Sequence, residues 1–270
     1  MDSIFSLKIY FGISVLTQYK VIFDYLLDNK IYSEIHYCLD EDIIKTYRGN
    51  YPENYMNDMK LLCTFLFSDP RIIQKQELNA TLVEVGSIIL QYTIPNNLVI
   101  DYRKLITEEP ILKEKYITIN TKITDVLHND LDSLMPHLLY LLQMSRYTIV
   151  LLGERSMSPC VEYNIHKGYY SCIYNKLIEA NLNHIDMTYD ETYNGYSIDA
   201  IKKTLNICKY SECNIVLNSG GALALSESVG TTYVITSNIG SIITRPYKTT
   251  NIYHIKDKKE FLADLSSLII

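Results

Sequence analysis

The chain has 270 residues, of which 47% are hydrophobic and 21% are charged. This composition is typical of a soluble globular protein and excludes a disordered or fibrous chain. The chain carries 25 Lys and Arg against 31 Asp and Glu, a net charge of −6. That balance disfavours general binding to nucleic-acid backbones, because clustered cations supply most of such affinity.

The N-terminal sequence and the cysteines bear on where the protein works. Asp2 follows Met1 without a cationic region, so we expect no signal peptide and a cytoplasmic protein. No apolar run approaches the roughly 20 residues that span a bilayer, and we expect no transmembrane segment. The 6 cysteines form no C-x-x-C pair and lie in or beside apolar stretches. We therefore expect buried free thiols rather than a zinc site.

The first part of the chain predicts a small α/β unit. An apolar run at 7–11 ends at Gly12, Ser14 can cap a helix with apolar residues at the helical period, and a strand follows at 34–39. Strand, glycine turn, helix and strand in this order indicate a parallel sheet. Further along, we expect a helix near 56–67 and apolar stretches near 83–90 and 98–100.

The second part of the chain alternates strands and helices regularly. It follows a polar segment at 105–114 that contains Pro110 and predicts a linker. The alternation indicates a doubly wound parallel sheet of roughly six strands flanked by helices on both faces. The predicted strands lie at 116–119, 148–152, 184–187, 214–217, 233–236 and 252–255.

Together these patterns predict an α/β protein with two Rossmann-like, doubly wound domains that face a cleft. The N-terminal domain would span 1–110 and the C-terminal domain 111–270. Ligands in such sheets bind at the carboxyl ends of the strands, so the loops after the strands hold the candidate site.

The turn Asn218-Ser219-Gly220-Gly221 follows a strand and opens a helix. Two glycines let the backbone approach a ligand closely, and the N–H groups of a helix N-terminus favour an anion such as phosphate. The alternative is a turn that only needs a positive φ. The turn is neither the dinucleotide fingerprint nor a P-loop, since the required glycine spacing and the Lys-Ser/Thr pair are absent.

Other strand-end loops carry charged candidates. In Gly153-Glu154-Arg155, Arg155 can donate two parallel hydrogen bonds to a phosphate, and Glu154 can accept hydrogen bonds from sugar or ribose hydroxyls. The alternative is an exposed ion pair. Arg245 on a later loop is another candidate phosphate contact. The acidic run that begins at Asp40 predicts a helix start, with a base for an acceptor hydroxyl as the alternative.

The segment from Asn218 to Gly230 resembles the donor-site segment of GT-B-fold nucleotide-sugar enzymes. These are the heptosyltransferase-like glycosyltransferases and, more distantly, the non-hydrolysing UDP-N-acetylglucosamine 2-epimerases, which carry a D-S-G turn, a helix and a glycine before the next strand. Residues 116–121 (YITINT) resemble the first strand of that donor domain, and 148–155 (TIVLLGER) resembles the strand and loop after it. The resemblance implies a phosphate-binding cation at Lys122.

The chain also departs from this family pattern. Asn218 replaces the usual Asp, and the Glu with which the epimerases hold ribose would fall at Ala224 or Leu225. The histidine of the heptosyltransferase-like enzymes is absent, and the first loop, from Gly12 to Ser14, lacks their Gly-Asp pair. We therefore predict nucleotide-sugar binding and name no catalytic residue.

The resemblance implies a metal-independent glycosyltransferase that moves a sugar from a nucleotide-sugar donor to a hydroxyl acceptor in glycan or polysaccharide synthesis. The C-terminal domain would bind the donor and the N-terminal domain the acceptor, without a cofactor, a metal or nucleic acid; self-association stays open. The alternatives are an epimerase or hydrolase of the same fold, and a non-catalytic binding or scaffold module with a degraded site. The predicted donor contacts are Lys122, Gly153, Glu154, Arg155, Asn218, Ser219, Gly220, Gly221 and Arg245.

Overall fold

The structure of the protein is a computed structural model. It describes residues 3–10, 12–43, 55–106, 109–121, 128–153, 169–189, 197–217, 219–237, 239–240 and 245–270. In these ranges the strands pair in parallel throughout and form one sheet of three strands and one of six. The smaller sheet belongs to the first part of the chain and the larger sheet to the second.

The first part of the chain forms the small parallel sheet in the order β1-β2-β3. The predicted strand–helix–strand unit is confirmed, although the first strand starts and ends earlier than the apolar run at 7–11. Ser6 precedes that run in the sequence, yet it pairs with His36 inside the strand. The prediction that Ser14 caps the helix is wrong, because the helix starts at Ile13 and Gly12 is its N-cap, without a side-chain hydrogen bond. The elements are β1 (Ile4–Ile9), α1 (Ile13–Asp28), β2 (Glu34–Leu39), α2 (Tyr55–Leu66), β3 (Ile72–Gln74) and α3 (Val85–Tyr92).

The second part of the chain forms the larger sheet, and the prediction of a six-stranded parallel sheet is confirmed. Strands and helices alternate along it as the sequence predicts. The elements are β4 (Tyr116–Asn120), α4 (His128–Met144), β5 (Thr148–Leu152), α5 (Tyr169–Glu179), β6 (His184–Asp186), α6 (Ile198–Tyr210), β7 (Asn214–Leu217), α7 (Gly220–Glu227), β8 (Thr232–Thr236), β9 (Ile252–His254) and α8 (Lys258–Ile269).

The strand order of the larger sheet, β6-β5-β4-β7-β8-β9, defines a topological switch point. From β4 the chain moves outward to β5 and β6, and then returns to place β7 on the other side of β4. Helices α4 and α7, which follow β4 and β7, therefore belong to opposite faces of the sheet, and a crevice is expected at the carboxyl ends of these strands. In doubly wound sheets this crevice is where ligands bind.

Alternating side chains along the central strands pack against two different layers. Ile149 and Leu151 of β5 belong to a hydrophobic cluster with residues of α4, α5 and α8. Val150 and Leu152 of the same strand belong to a second cluster that contains residues of α6 and α7. Because successive side chains of a strand point to opposite faces, β5 is buried on both sides, as expected for a parallel sheet covered by helices.

The second cluster continues into the first part of the chain. It joins Leu16 and Tyr19 of α1 to Leu205 of α6 and to Ala224 and Leu225 of α7. Helix α1 packs directly against α7. We call this cluster the shared core, because buried side chains of both parts of the chain build it.

Three further observations concern the chemical environment. Cys38, Cys63, Cys208 and Cys213 are buried free thiols as predicted, whereas the side chains of the other two cysteines lie outside the described residues. Within the described ranges, no cluster of His, Cys, Asp and Glu is arranged to hold a metal ion. None of the helices in those ranges is long and apolar enough to cross a bilayer.

Candidate functional site

The ends of β4 and β5 are joined by hydrogen bonds at the switch point. The N–H and the hydroxyl of Thr121 both donate to the carbonyl oxygen of Leu152, at 2.8 and 3.0 Å. Gly153 follows with a φ of 104°, a conformation that side-chain-bearing residues rarely adopt. Its carbonyl oxygen accepts a hydrogen bond from the N–H of Tyr189 at 2.9 Å. The glycine thus follows β5 at the edge of the sheet where a ligand is expected.

Ser219 begins α7 at the carboxyl end of β7. It is 3% exposed, its hydroxyl accepts from the N–H of Ala222 at 3.5 Å, and its carbonyl oxygen accepts from the N–H of Leu223 at 3.0 Å. These bonds serve the third and fourth N–H groups of the helix, and the first N–H groups of a helix N-terminus are the ones that bind anions.

The sheet order brings two of the predicted loops to one edge. Gly153 follows β5 and Ser219 follows β7, with β4 between the two strands. At about 4.8 Å per strand, these loops leave the sheet roughly 10 Å apart, a span that fits a diphosphate with its neighbouring sugars. Asn120 and Thr121, both largely buried, lie between the loops. The predicted contacts that lie outside the described residues are Lys122, Glu154, Arg155 and Asn218.

Arg245 is a buried cation on the segment after β8. Its side chain is 9% exposed, and its Nη1 donates to the hydroxyl of Tyr247 at 3.1 Å. Among the described residues, no carboxylate lies within 4.0 Å of the guanidinium nitrogens. Burial raises the pKa of Tyr247, although Arg245 and a hydrogen bond from Ser14 act in the opposite direction. The phenol therefore stays neutral near pH 7 and can accept from both donors.

Two tyrosines connect the start of α1 to the second part of the chain. Ser14, in the first turn of α1, contacts Tyr247. The hydroxyl of Tyr102 donates to Thr17 Oγ1 at 3.3 Å, and its N–H donates to the carbonyl oxygen of Ser228 at 3.2 Å. The start of α1 therefore rests against the end of α7 and the segment that follows β8. Sequence reasoning missed both tyrosines, because no local pattern marks them.

The acidic residues give one confirmed prediction and one new feature. Asp40 Oδ1 accepts from the N–H of Ile43 at 3.0 Å, and residues 41–43 are helical, so the predicted helix start is confirmed. Glu227, near the end of α7, accepts through Oε1 from the N–H and hydroxyl of Thr250 at 3.0 and 3.1 Å. Its Oε2 is buried without a hydrogen bond to a described residue, and burial raises the pKa of this carboxyl.

A doubly wound parallel sheet with a glycine turn at its switch point, preceded by a smaller parallel sheet, is the fold of GT-B-like glycosyltransferases. The chain is similar to the crystal structure of a family 9 glycosyl transferase from Veillonella parvula DSM 2008, with a TM-score of 0.51 and 10% identity over 100% of this chain and 92% of that chain. The resemblance predicted from the sequence is thus confirmed at the level of the fold.

Two further solved structures are more distant. The iron-containing dodecameric glycosyltransferase TibC from enterotoxigenic E. coli H10407 matches with a TM-score of 0.49 and 12% identity over 93% of this chain and 63% of that chain. The E. coli ADP-heptose lps heptosyltransferase II matches with a TM-score of 0.47 and 10% identity over 98% of both chains. No protein-family model matches the chain, and no curated protein matches it in sequence.

Proposed function

We propose that the protein is a glycosyltransferase that moves a sugar from a nucleotide-sugar donor to a hydroxyl acceptor, in glycan or polysaccharide synthesis. One observation carries the proposal. The N-terminus of α7, with Gly220 and Gly221 in its first turn, follows β7 at the switch point of the larger sheet. Backbone N–H groups in this arrangement bind phosphate oxygens.

The chemistry needs stabilisation of a leaving diphosphate. As the bond between sugar and phosphate breaks, negative charge grows on the diphosphate, and fixed N–H donors and cations then bind it more strongly than before. The buried guanidinium of Arg245 supports this role, since a guanidinium has five N–H donors and Tyr247 accepts from only one of its nitrogens. We propose Lys122 and Arg155 as the further cations, and Glu154 as a partner for sugar hydroxyls. The reaction as proposed needs no metal.

The proposal divides the work between the two parts of the chain. Residues 111–270 would bind the donor, because they contain the switch point and its loops. Residues 1–110 would hold the acceptor, with the first turn of α1 at Ser14 next to Tyr247 of the second part of the chain. The reaction is placed in the cytoplasm, where thiols such as those of Cys63 and Cys208 stay reduced.

Donor binding is tested with a panel of nucleoside diphosphates and nucleotide sugars, measured by thermal shift and calorimetry. A ligand that binds only the native state raises the apparent melting temperature. We expect at least one nucleotide of the panel to bind, and Gly220→Val to weaken that binding about tenfold or more. The valine side chain would block the approach of the phosphate to the backbone N–H groups, and each hydrogen bond to a charged group that is lost contributes about 1.5–3 kcal/mol.

Gly86→Val is the matched control for this substitution. Gly86 also lies in the first turn of a helix, α3, and a side chain there would meet no heavy atom within 4 Å. We expect the control to bind the nucleotide like the wild type. Equal binding by the Gly220 variant would remove the phosphate site from α7. If no member of the panel binds the wild type, the proposal fails and a non-catalytic module is favoured.

A further inference from the structure

A cavity of about 480 Å³ lies between α6 and the segment that joins the two parts of the chain. None of its lining residues belongs to the proposed donor site. Its volume falls in the range of sites that hold small organic molecules, about 300–1,000 Å³. The lining residues are Lys104, Leu105, Ile106, Ile111, Asp199, Lys202, Lys203 and Asn206.

Asn206 fixes the joining segment above α6. Its side chain is 2% exposed, its Nδ2 donates to the carbonyl oxygen of Glu109 at 2.9 Å, and its Oδ1 accepts from the N–H of Ile111 at 3.0 Å. Both polar atoms of the amide therefore hold residues 109 and 111 against α6, beside the cavity.

The charged lining of the cavity is predominantly cationic. The lining contains three lysines, at 104, 202 and 203, and one carboxylate, that of Asp199. Among the ion pairs between described residues, none involves these lysines. The Nζ of Lys202 instead lies 5.3 Å from the centroid of the Phe65 ring. In a chain with a net charge of −6, this is a local concentration of cations.

The rest of the lining is aliphatic. Leu105 and Ile106 are half-buried, and Ile111 is 47% exposed although it borders the cavity. Covering such a surface with a hydrocarbon group is favourable by about 25 cal/mol per Å² of apolar area removed from water. The lining therefore combines cations with aliphatic side chains, which matches a ligand with one anionic end and one aliphatic part.

We propose that this cavity binds a small organic anion with an aliphatic part, whose phosphate or carboxylate contacts the lysines and whose hydrocarbon covers Leu105, Ile106 and Ile111. The site is separate from the donor site and does not depend on the proposed transferase reaction. Lysine binds such anions as a mobile point charge, so the binding of phosphate and carboxylate heads should both weaken as salt rises.

Calorimetry with the full chain tests the site with octyl phosphate and octanoate, each below its micelle concentration. Inorganic phosphate supplies the head alone, and octyl glucoside supplies the same hydrocarbon with a neutral head. We expect at least one octyl anion to bind at least tenfold more tightly than either control molecule. The anion that binds better identifies the head group. Equal binding of octyl glucoside, or no binding of either anion, would overturn the proposal.

A pair of double variants tests whether the octyl anion binds at α6. Lys202→Gln with Lys203→Gln removes two cations of the cavity, whereas Lys256→Gln with Lys259→Gln removes two exposed cations elsewhere and changes the net charge equally. We expect the first variant to bind the octyl anion at least tenfold more weakly and the second to bind it like the wild type. Equal weakening in both, or in neither, would contradict a site at this cavity.

Discussion

Gly230 lies where the chain leaves the end of α7 and passes the end of α6. A Cβ atom at this position would lie 2.6 Å from the carbonyl oxygen of Cys208 and 3.0 Å from Nδ2 of Asn214. That amide donates to the carbonyl oxygens of Cys208 and Thr231, at 3.1 and 3.2 Å, so the obstructing atoms are held in place. The glycine that the sequence places before β8 is therefore needed for packing.

Gly230→Ala should lower the free energy of unfolding by about 1–3 kcal/mol, the cost of forcing an extra methyl group into a closely packed site. Gly86→Ala is the control, because that position is exposed, helical and open within 4 Å. There the added methyl group should be neutral or stabilise by up to about 1 kcal/mol. Urea unfolding of both variants measures the difference, and a neutral effect at Gly230 would refute the packing role.

Glu227 makes stability depend on pH in a definite direction. Burial raises the pKa of this carboxyl above its ordinary value of 4.5, so the folded state favours the protonated form. Its contribution to stability is complete below pH 4.5 and is lost as the pH rises through the pKa of the folded state. Glu227→Gln keeps the shape without the ionisation, so it should be more stable relative to the wild type at pH 7.5 than at pH 4.5. Urea unfolding at the two pH values tests this, and a constant difference would show that the carboxyl does not titrate between them.

The sequence predicts well those elements whose boundaries are marked by neighbouring residues. The bounds of β2, β5 and β7 match the predicted ranges, because each is an uninterrupted run that ends at a polar residue or a glycine. Strand β3, Ile72–Gln74, escapes prediction, since three residues between Arg71 and Lys75 show no period. Its parallel pairing with β2 defines it as a strand, and that partner is remote in sequence.

The candidate site likewise has one part that the sequence predicts and one part that it does not. The turn at Ser219 is local, and the structure shows the helix start that the glycines predict. The contacts of Tyr102 and Tyr247 with the start of α1 are not local; Tyr102 and Thr17 are 85 positions apart. Such contacts depend on how the two parts of the chain meet, and neither propensity nor periodicity contains that information.

At the scale of the whole molecule, the shared core bears on the division into two domains. Buried side chains of α1, among them Tyr19, pack in one cluster with Leu205 and with Ala224 and Leu225 of α7. Domains that move independently meet through smaller and more polar interfaces. The division at 110 and 111 proposed for acceptor and donor therefore crosses a hydrophobic core, and the two parts should depend on each other for stability.

Calorimetric unfolding of the full chain should accordingly show one cooperative transition, with equal calorimetric and van't Hoff enthalpies. Leu225→Asp, which puts a charge into the shared core, should lower the melting temperature of that single transition. Its control is Leu90→Asp, at a side chain that is 83% exposed, where little change is expected. Two resolved transitions, with only one of them sensitive to Leu225, would show that the parts fold independently.

Glycosyl transfer itself is tested most directly by the turnover of a nucleotide-sugar panel with hydroxyl-bearing glycan acceptors, measured as release of nucleoside diphosphate. We expect the wild type and Gly86→Val to turn over at least one donor. Gly220→Val should lower kcat/KM by about 30- to 1,000-fold, since loss of one fixed donor to a developing anion costs about 2–4 kcal/mol. Full activity of the Gly220 variant, or no release by the wild type from any donor, would contradict transfer at the start of α7.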